Sequence, residues 1–175
     1  MTSHKSRGFT LVELMITIAV LAIGSALAYP SFSSVLRSNR VATSTNNVIA
    51  AVNLARSEAI RNNRGGGICP SNAGTQCDGV DWNVGYLAYS DADASGGWSA
   101  GDTGIRFFEP NDALELTVIA NGGGVTQLSF DRSGRSNVDA TLNLKVADCK
   151  AGEQYQRNIT LTRSGQTRMK KETCQ

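Results

Sequence analysis

An apolar stretch of about 20 residues, 9–28, follows a short polar N-terminus and is interrupted by one charge, at Glu13. A helix that rises about 1.5 Å per residue crosses a bilayer over this length. Lys5 and Arg7 precede the stretch, so the basic end is expected in the cytoplasm and the chain after Ala28 on the other side. The pattern predicts a transmembrane segment over residues 9–29, followed by a periplasmic or extracellular domain.

The helical pattern continues beyond this stretch over residues 30–64, as the amphipathic half of one helix. Apolar residues recur there at three-, four- and seven-residue steps, at Val41, Val48, Val52, Ala55 and Ala59. Such spacing predicts one buried helix face. We expect the helix to cover residues 9–63, with a kink at Pro30, which lacks a backbone donor. Gly65-Gly66-Gly67 is expected to end it, with Arg61 and Arg64 near the negative end of its dipole.

Short alternating runs bounded by turn residues come after the glycines and are typical of antiparallel strands. The runs are residues 84–89, 104–108, 115–119, 127–130, 141–146 and 158–162, and residues 120–124 and 131–136 are turn-forming. The strands must cover the apolar face of the helix. An α+β fold is therefore predicted, in which the long helix packs on one antiparallel β-rich domain, residues 65–175.

Charge is distributed unevenly along this domain. Residues 78–115 contain eight acidic side chains and one basic side chain, whereas residues 157–171 contain five basic side chains and no acidic one. The distribution predicts a domain with one acidic and one basic side.

Four cysteines fall into two local pairs, Cys69 with Cys77 and Cys149 with Cys174. They lie beyond the membrane segment, in a compartment where disulfides persist. Three pairings are possible, and we expect the local one. Zinc is the rival interpretation, but there is no C-x-x-C pair and the only histidine, His4, lies in the polar N-terminus. Two disulfides, no metal and no cofactor are predicted.

Residues 91–102 match a calcium-binding EF-hand loop at positions one, three, five, six and twelve. The flanking segments are predicted strands, however, and Asp102 stands where a bidentate glutamate is usual. Clusters of Asp, Gly and Ser are also ordinary turn material. A hairpin loop is predicted, with calcium binding as the alternative.

The string Gly8-Phe9-Thr10-Leu11-Val12-Glu13-Leu14 resembles the prepilin peptidase site of type IV pilins and type II secretion pseudopilins. The resemblance implies that the leader, residues 1–8, is cleaved after Gly8 and that Phe9 is then N-methylated. It also implies that Glu13 neutralises the terminal amine of a neighbouring subunit during assembly. Two opposite charges in an apolar environment are tolerable only together. Without the leader, 15 basic and 15 acidic residues remain.

An ordinary secretory signal peptide is the alternative for this N-terminus. Ala26-Leu27-Ala28 supplies an A-x-A pattern, with cleavage before Tyr29. Glu13 argues against it, because a carboxylate inside an apolar helix costs a few kcal/mol and usually marks a functional pairing.

Four further segments resemble the FimT/GspH group of minor pilins and pseudopilins. They are Ala55-Arg56-Ser57-Glu58-Ala59-Ile60, Trp82-Asn83-Val84-Gly85-Tyr86, Leu128-Ser129-Phe130-Asp131-Arg132-Ser133-Gly134-Arg135 and Arg157-Asn158-Ile159-Thr160-Leu161-Thr162-Arg163-Ser164-Gly165. The resemblance implies a type IV pilin-like fold and a low-copy subunit that primes or caps a pilus. It implies a single-pass inner-membrane protein before assembly and a pilus subunit afterwards. Its implied partners are the prepilin peptidase and other pilins.

Some FimT proteins bind DNA for uptake in natural transformation, at a Gly-Arg-x-Arg motif in the tail. The matching string here is Gly165-Gln166-Thr167-Arg168, so only its last arginine carries over. The candidate DNA-binding residues are Arg163, Arg168, Lys170 and Lys171. Basic side chains contact phosphates without selecting a base sequence. The alternative is a polar tail that keeps an edge strand soluble.

Catalysis is not predicted, because the mature chain has no histidine and its cysteines are expected to be oxidised. The favoured function is a minor pilin that binds DNA non-specifically in natural transformation. The first alternative is a purely structural minor pilin or type II secretion pseudopilin that initiates the filament. The second is a calcium-stabilised adhesive tip subunit.

Overall fold

The computed structural model describes residues 9–175, except for the side chains of residues 27, 28, 30 and 31. The predicted leader and its cleavage residue Gly8 lie outside the described residues. The chain divides into two compact units, Met1–Ser38 and Asn39–Gln175.

The described part of the first unit is almost entirely helical, because helix α1 covers Leu11–Asn62. The helix begins where the Thr10 hydroxyl accepts a hydrogen bond from the backbone N–H of Glu13, at 3.2 Å. It continues through Pro30, and the kink expected there stays a prediction. In the part of the chain that the structure describes, no helix is both long and apolar enough to cross a membrane. The transmembrane segment predicted for residues 9–29 stays a prediction.

Residues 39–62 of α1 form the helical layer of the second unit. The predicted apolar face is buried there: Val41, Val48, Val52, Ala55 and Ala59 are all 0–1% exposed and belong to the main core. Full burial of each valine contributes roughly 1.5–3 kcal/mol. The alanines add little area but allow the neighbouring backbone to approach closely.

Two antiparallel sheets complete the second unit. The first has the strand order β3-β2-β1-β6 and the second β5-β4-β7-β8-β9. The strands are β1 Gly65–Pro70, β2 Tyr86–Asp91, β3 Thr103–Phe108, β4 Leu114–Ala120, β5 Gly123–Gly124, β6 Leu128–Asp131, β7 Ala140–Val146, β8 Gln156–Leu161 and β9 Thr167–Glu172. This arrangement confirms the predicted α+β class with antiparallel strands.

The three glycines after the helix form a strand, which corrects their predicted role as a helix stop. Gly65, Gly66 and Gly67 begin β1, which lies between β2 and β6. A Cβ on Gly66 would lie 2.6 Å from the carbonyl oxygen of Ala55, and one on Gly67 would lie 2.5 Å from the hydroxyl of Tyr89. Strand β1 passes so close to the helix and to Tyr89 that a side chain does not fit there.

The run predicted as a strand from residue 84 begins instead with one turn of 3-10 helix, Trp82–Val84. Asp81 caps this turn, because its carboxylate accepts a hydrogen bond from the N–H of Asn83 at 3.1 Å. Gly85 has a φ of 106° and turns the chain into β2. Residues other than glycine rarely adopt this conformation. The alternation of apolar and polar residues does not reveal the turn at Gly85, so it predicted a strand that starts two residues too early.

Both predicted disulfides are present, Cys69–Cys77 with a Cα–Cα distance of 5.6 Å and Cys149–Cys174 with 6.0 Å. The local pairing is therefore confirmed. All four cysteines are oxidised, so none of them is available to zinc.

Candidate functional site

The basic C-terminal segment forms a strand, β9, which was not among the strands predicted from the sequence. Strand β9 pairs only with β8 and forms an edge of the second sheet. The connection to β8 is a short turn that is closed by a 2.8 Å hydrogen bond from the N–H of Gly165 to the carbonyl of Thr162. Four of its six side chains are exposed, so β9 lacks the apolar alternation by which a strand is identified.

The register of β9 divides its basic side chains between two faces. Arg168 pairs with Thr160 and Lys170 with Asn158, so both lie on the outer face of the sheet. Their spacing along the strand is about 7 Å, from two residues at about 3.3 Å each. Lys171 pairs with buried Arg157 and points to the other face. Arg168 and Lys170 are therefore the two basic side chains of β9 that can act on one ligand, and Glu172 lies on the same face.

Surface ion pairs involve two of the candidate residues. Arg163 Nε lies 3.8 Å from Asp139 Oδ2, and Lys170 Nζ lies 3.3 Å from Glu172 Oε1. Exposed pairs of this kind contribute about 0–1 kcal/mol. A phosphate can therefore replace either carboxylate at little cost.

Arg157 does not belong to this surface, although it contributes to the basic excess of the sequence. It is 5% exposed, and its guanidinium donates hydrogen bonds to the carbonyls of Gln154 and Gln156 at 3.0 and 2.9 Å. Burial lowers the pKa of Arg157. Of the five basic residues in the range 157–171, four therefore lie on the surface.

A second group of basic residues was missed by the sequence analysis. Arg64, Arg132 and Arg135 line a cleft of about 400 Å³. The turn that contains Arg132 and Arg135 lies beside the β8–β9 turn, because the N–H of Ser136 donates a 3.0 Å hydrogen bond to the carbonyl of Arg163. In the sequence, Arg132 and Arg135 lie among turn-forming residues, so they were assigned to a turn and not to a site. The fold places them in the same cleft as Arg64.

Three of the four segments that resemble the FimT/GspH group meet at Arg56. Its guanidinium donates to the carbonyls of Gly134 at 2.9 Å and Ser164 at 3.4 Å. A Cβ on Gly165 would lie 2.2 Å from the carbonyl oxygen of Gly134. The helix and two turns are therefore held together at one point.

The fourth segment joins the two sheets. Trp82 is buried, and its indole N–H donates a 2.6 Å hydrogen bond to the carbonyl of Val125. The side-chain oxygen of Asn83 accepts a 2.7 Å hydrogen bond from the N–H of Leu116 in β4. The four segments that resemble the FimT/GspH group thus contain residues that hold the helix, the turns and the two sheets together.

Three carboxylates meet in the β2–β3 loop, where the calcium alternative was placed. Ligand atoms of Asp91, Asp93 and Asp102 lie within 4.8 Å of one another. Each carboxylate accepts hydrogen bonds from backbone N–H groups of the loop. Hydrogen bonds from Ser95 lower the pKa of Asp93 to about 2, whereas burial raises the pKa of Asp91. These bonds hold the loop in the predicted hairpin, and calcium binding stays an untested alternative.

Comparisons with known proteins identify two sequence patterns in the chain. The family described as Type II transport protein GspH matches residues 44–165, and the prokaryotic N-terminal methylation motif matches residues 3–29. No curated protein sequence matches the chain.

Solved structures with a similar fold include the type IV minor pilin FimU of Pseudomonas aeruginosa PAO1, in two crystal forms. In one form the TM-score is 0.54 at 20% identity, over 75% of this chain and 89% of that one. In the other the TM-score is 0.51 at 20% identity, over 73% and 90%. This similarity concerns the fold alone.

Proposed function

The chain belongs to the GspH family and is a minor pilin or pseudopilin, and on that premise we propose that it enters a type IV pilus and binds DNA there. Its N-terminal motif and pilin fold indicate a subunit that is anchored at the membrane and then joins a pilus. The proposal has two parts: assembly through the first unit, and non-specific DNA binding through β9.

Assembly is supported by the apolar surface of the first unit. Its large apolar side chains are exposed, Phe9 by 82% and Leu11 by 74%. Others that are at least half exposed are Val12, Leu14, Met15, Ile16, Ile18, Val20, Leu21, Ile23, Tyr29, Phe32 and Val35. Contiguous exposed apolar surface of this extent marks an interaction site. We propose that the helices of neighbouring subunits cover it in the filament.

The proposed processing places one charge pair in this apolar contact. Cleavage after Gly8 would free the amine of Phe9, and methylation would keep its positive charge. The carboxylate of Glu13, on the same apolar helix, would then neutralise the amine of a neighbouring subunit. Either charge alone would be costly in such surroundings.

The Glu13→Ala variant is expected to be cleaved normally but to enter pili at least about tenfold less than the wild type. Loss of one partner of a buried ion pair costs about 3–5 kcal/mol, which is more than a tenfold change requires. Immunoblots of sheared pili against whole cells measure incorporation. Thr17→Ala is the control, because it removes a polar group one turn later whose hydroxyl bonds only the carbonyl of Leu14 within the described residues. Wild-type incorporation of Glu13→Ala would refute the charge pair.

DNA binding is supported by the geometry of the outer face of the second sheet. Arg168 and Lys170 project from its edge, and Arg163 lies in the adjoining turn. The neighbouring outward residues are mostly neutral and polar, among them Thr141, Asn143, Asn158 and Thr160. A surface of neutral polar side chains with cations at one edge contacts the phosphate backbone and offers little that distinguishes bases. Lys171, the fourth candidate from the sequence, faces the other way, so we do not expect it to contact the same DNA.

Replacing Arg168 and Lys170 together with glutamine is expected to weaken DNA binding similarly for unrelated sequences. Two lost phosphate contacts lower the slope of log K against log salt by about 1.8, at about 0.9 per contact with duplex DNA. Fluorescence anisotropy of the full-length chain in a mild non-ionic detergent, titrated over several salt concentrations, measures the slope.

The matched control is the double variant Lys150→Gln with Lys171→Gln, which removes one exposed charge between β7 and β8 and one on the opposite side of β9. Its slope should fall by clearly less. Equal slopes for the two double variants would show that net charge, not this face, binds DNA. An unchanged affinity in both would favour the purely structural subunit.

A type II secretion pseudopilin is the second candidate, because the matching family is described as a type II transport protein. Deletion of the gene separates the two functions. Loss of pili or of DNA uptake with normal secretion supports the minor pilin. Loss of secretion with intact pili supports the pseudopilin.

A further inference from the structure

A cleft lies apart from the outer face of β9, where the end of α1, the β2–β3 loop and the β6–β7 turn meet. Its volume is about 400 Å³, and Arg64, Arg132 and Arg135 line it. We call it the arginine cleft. Such a volume is within the usual range for small-ligand sites, about 300–1,000 Å³. Phe130 and Ala94 are its only apolar side chains among the described lining residues, and its three cationic side chains outnumber its two carboxylates.

All three arginines have unused hydrogen-bond donors. Within residues 9–175 the side chains of Arg132 and Arg135 make no hydrogen bond or ion pair, and both are exposed. Arg64 donates one N–H to the carbonyl of Ala92 and keeps its other donors. A guanidinium has five N–H donors in a rigid fork. The cleft therefore presents three cations with most of their donors free.

The two carboxylates of the cleft accept hydrogen bonds from backbone N–H groups of the turns in which they lie. Asp131 accepts hydrogen bonds from the N–H groups of Ser133 at 2.8 Å and Arg135 at 3.0 Å. Asp91 is 1% exposed and accepts one from the N–H of Gly96 at 2.9 Å. Neither forms an ion pair with a cleft arginine within the described chain. Backbone dipoles thus hold the negative charges, and the arginines are left for a ligand.

The end of helix α1 opposes an anion here, because Asn63 and Arg64 line the cleft just beyond the last turn. The negative end of a helix dipole acts as about half a charge and falls off within one turn. Arg64 lies at that end and offsets it, whereas the charge of Arg61 is paired with Glu58 at 2.7 Å. Three guanidinium groups therefore outweigh the dipole.

We propose that the arginine cleft binds a phosphoryl group. Three guanidinium groups on two separate segments suit the several oxygens of a tetrahedral phosphate, whereas a carboxylate offers only two oxygens in one plane. The side-chain amide of Asn137, which also lines the cleft, adds a further hydrogen-bonding group. The phosphoryl group comes either from a free phosphate compound or from a nucleic-acid backbone. The site does not depend on the proposed role of β9.

Pyrophosphate is the probe for this site. Isothermal titration of the full-length chain in a mild non-ionic detergent is expected to show binding that Arg132→Gln with Arg135→Gln weakens about tenfold or more. Both side chains are exposed and unbonded within the described residues, so the fold should be retained, which circular dichroism checks. The controls are Lys150→Gln with Lys171→Gln and Arg168→Gln with Lys170→Gln, which should keep wild-type affinity.

Three results would overturn the phosphoryl site. They are no pyrophosphate binding by the wild type at millimolar concentration, equal weakening in the control variants, and equal binding of acetate. Loss of DNA binding in the β9 variant with intact pyrophosphate binding would leave the site in place. Its failure and that of the DNA proposal are therefore distinguishable.

Competition identifies the source of the phosphoryl group. If a short single-stranded oligonucleotide displaces pyrophosphate from the wild type, the source is a nucleic-acid backbone. If pyrophosphate stays bound while DNA occupies β9, the source is a free phosphate compound. Either result supports the phosphoryl site.

Discussion

Replacing Gly165 with alanine is expected to lower the free energy of unfolding by about 2–5 kcal/mol, from about 1–2 for the left-handed backbone and about 1–3 for overpacking. Gly165 has a φ of 75°, and its new Cβ would lie 2.2 Å from the carbonyl oxygen of Gly134. That oxygen belongs to the backbone and also accepts the hydrogen bond of Arg56, so it cannot move away without breaking the contact. Urea unfolding of the full-length chain, followed by tryptophan fluorescence, measures the loss.

Gly152→Ala is the matched control for backbone strain. Gly152 has a φ of 89°, but a Cβ added there would meet nothing within 4 Å. Its substitution should cost only the left-handed conformation, about 1–2 kcal/mol. If Gly165→Ala costs no more than Gly152→Ala, the two turns are not in close contact in solution.

The Gly165 contact shows why the fold could be recognised from short sequence segments. Arg56, Gly134 and Gly165 are far apart in the chain, yet each is required for one close approach of helix and turns. Resemblance in these segments therefore indicated the pilin-like fold. It carried no information about a binding surface, because the residues face one another and not solvent.

The helix face and the disulfides could be predicted because both depend on local spacing. Val41, Val48 and Val52 repeat at helical steps, and each cysteine pair lies close in sequence. Strand β1 could not be predicted in this way. Its glycines are needed because the strand passes close to α1 and Tyr89, and this contact is not visible in the sequence. Strand β9 was missed for the opposite reason: as an exposed edge, it needs no apolar alternation.

The candidate binding residues were only partly predictable. Local excess of charge identified Arg168 and Lys170, but it also included Arg157, which the register places in the core. Arg132 and Arg135 sit in a turn with no excess of charge in sequence. Their significance depends on Arg64, which another segment brings to the same cleft.

Removing the Cys149–Cys174 disulfide by alanine substitution at both positions is expected to cost about 3–4 kcal/mol of unfolding free energy, for a loop of about 25 residues in the chain-entropy model. Strand β9 should lose the most local stability. It hydrogen-bonds on one side only, and Arg168, Met169 and Lys170 are all exposed, so little apolar burial holds it. Without the disulfide, the C-terminal end of β9 is held by two backbone hydrogen bonds of residue 174, to Gly152 and Glu153. Each contributes about 1 kcal/mol.

Hydrogen exchange of this double-alanine variant should therefore rise first at Thr167–Glu172, and DNA affinity should fall with it because Arg168 and Lys170 no longer share a fixed face. The matched control removes Cys69–Cys77, whose separation of 8 residues predicts a loss of only about 2.5 kcal/mol. That control should leave exchange in β9 unchanged, because β1 belongs to the other sheet. Wild-type protection of β9 after loss of Cys149–Cys174 would show that pairing with β8 alone keeps the edge strand in place.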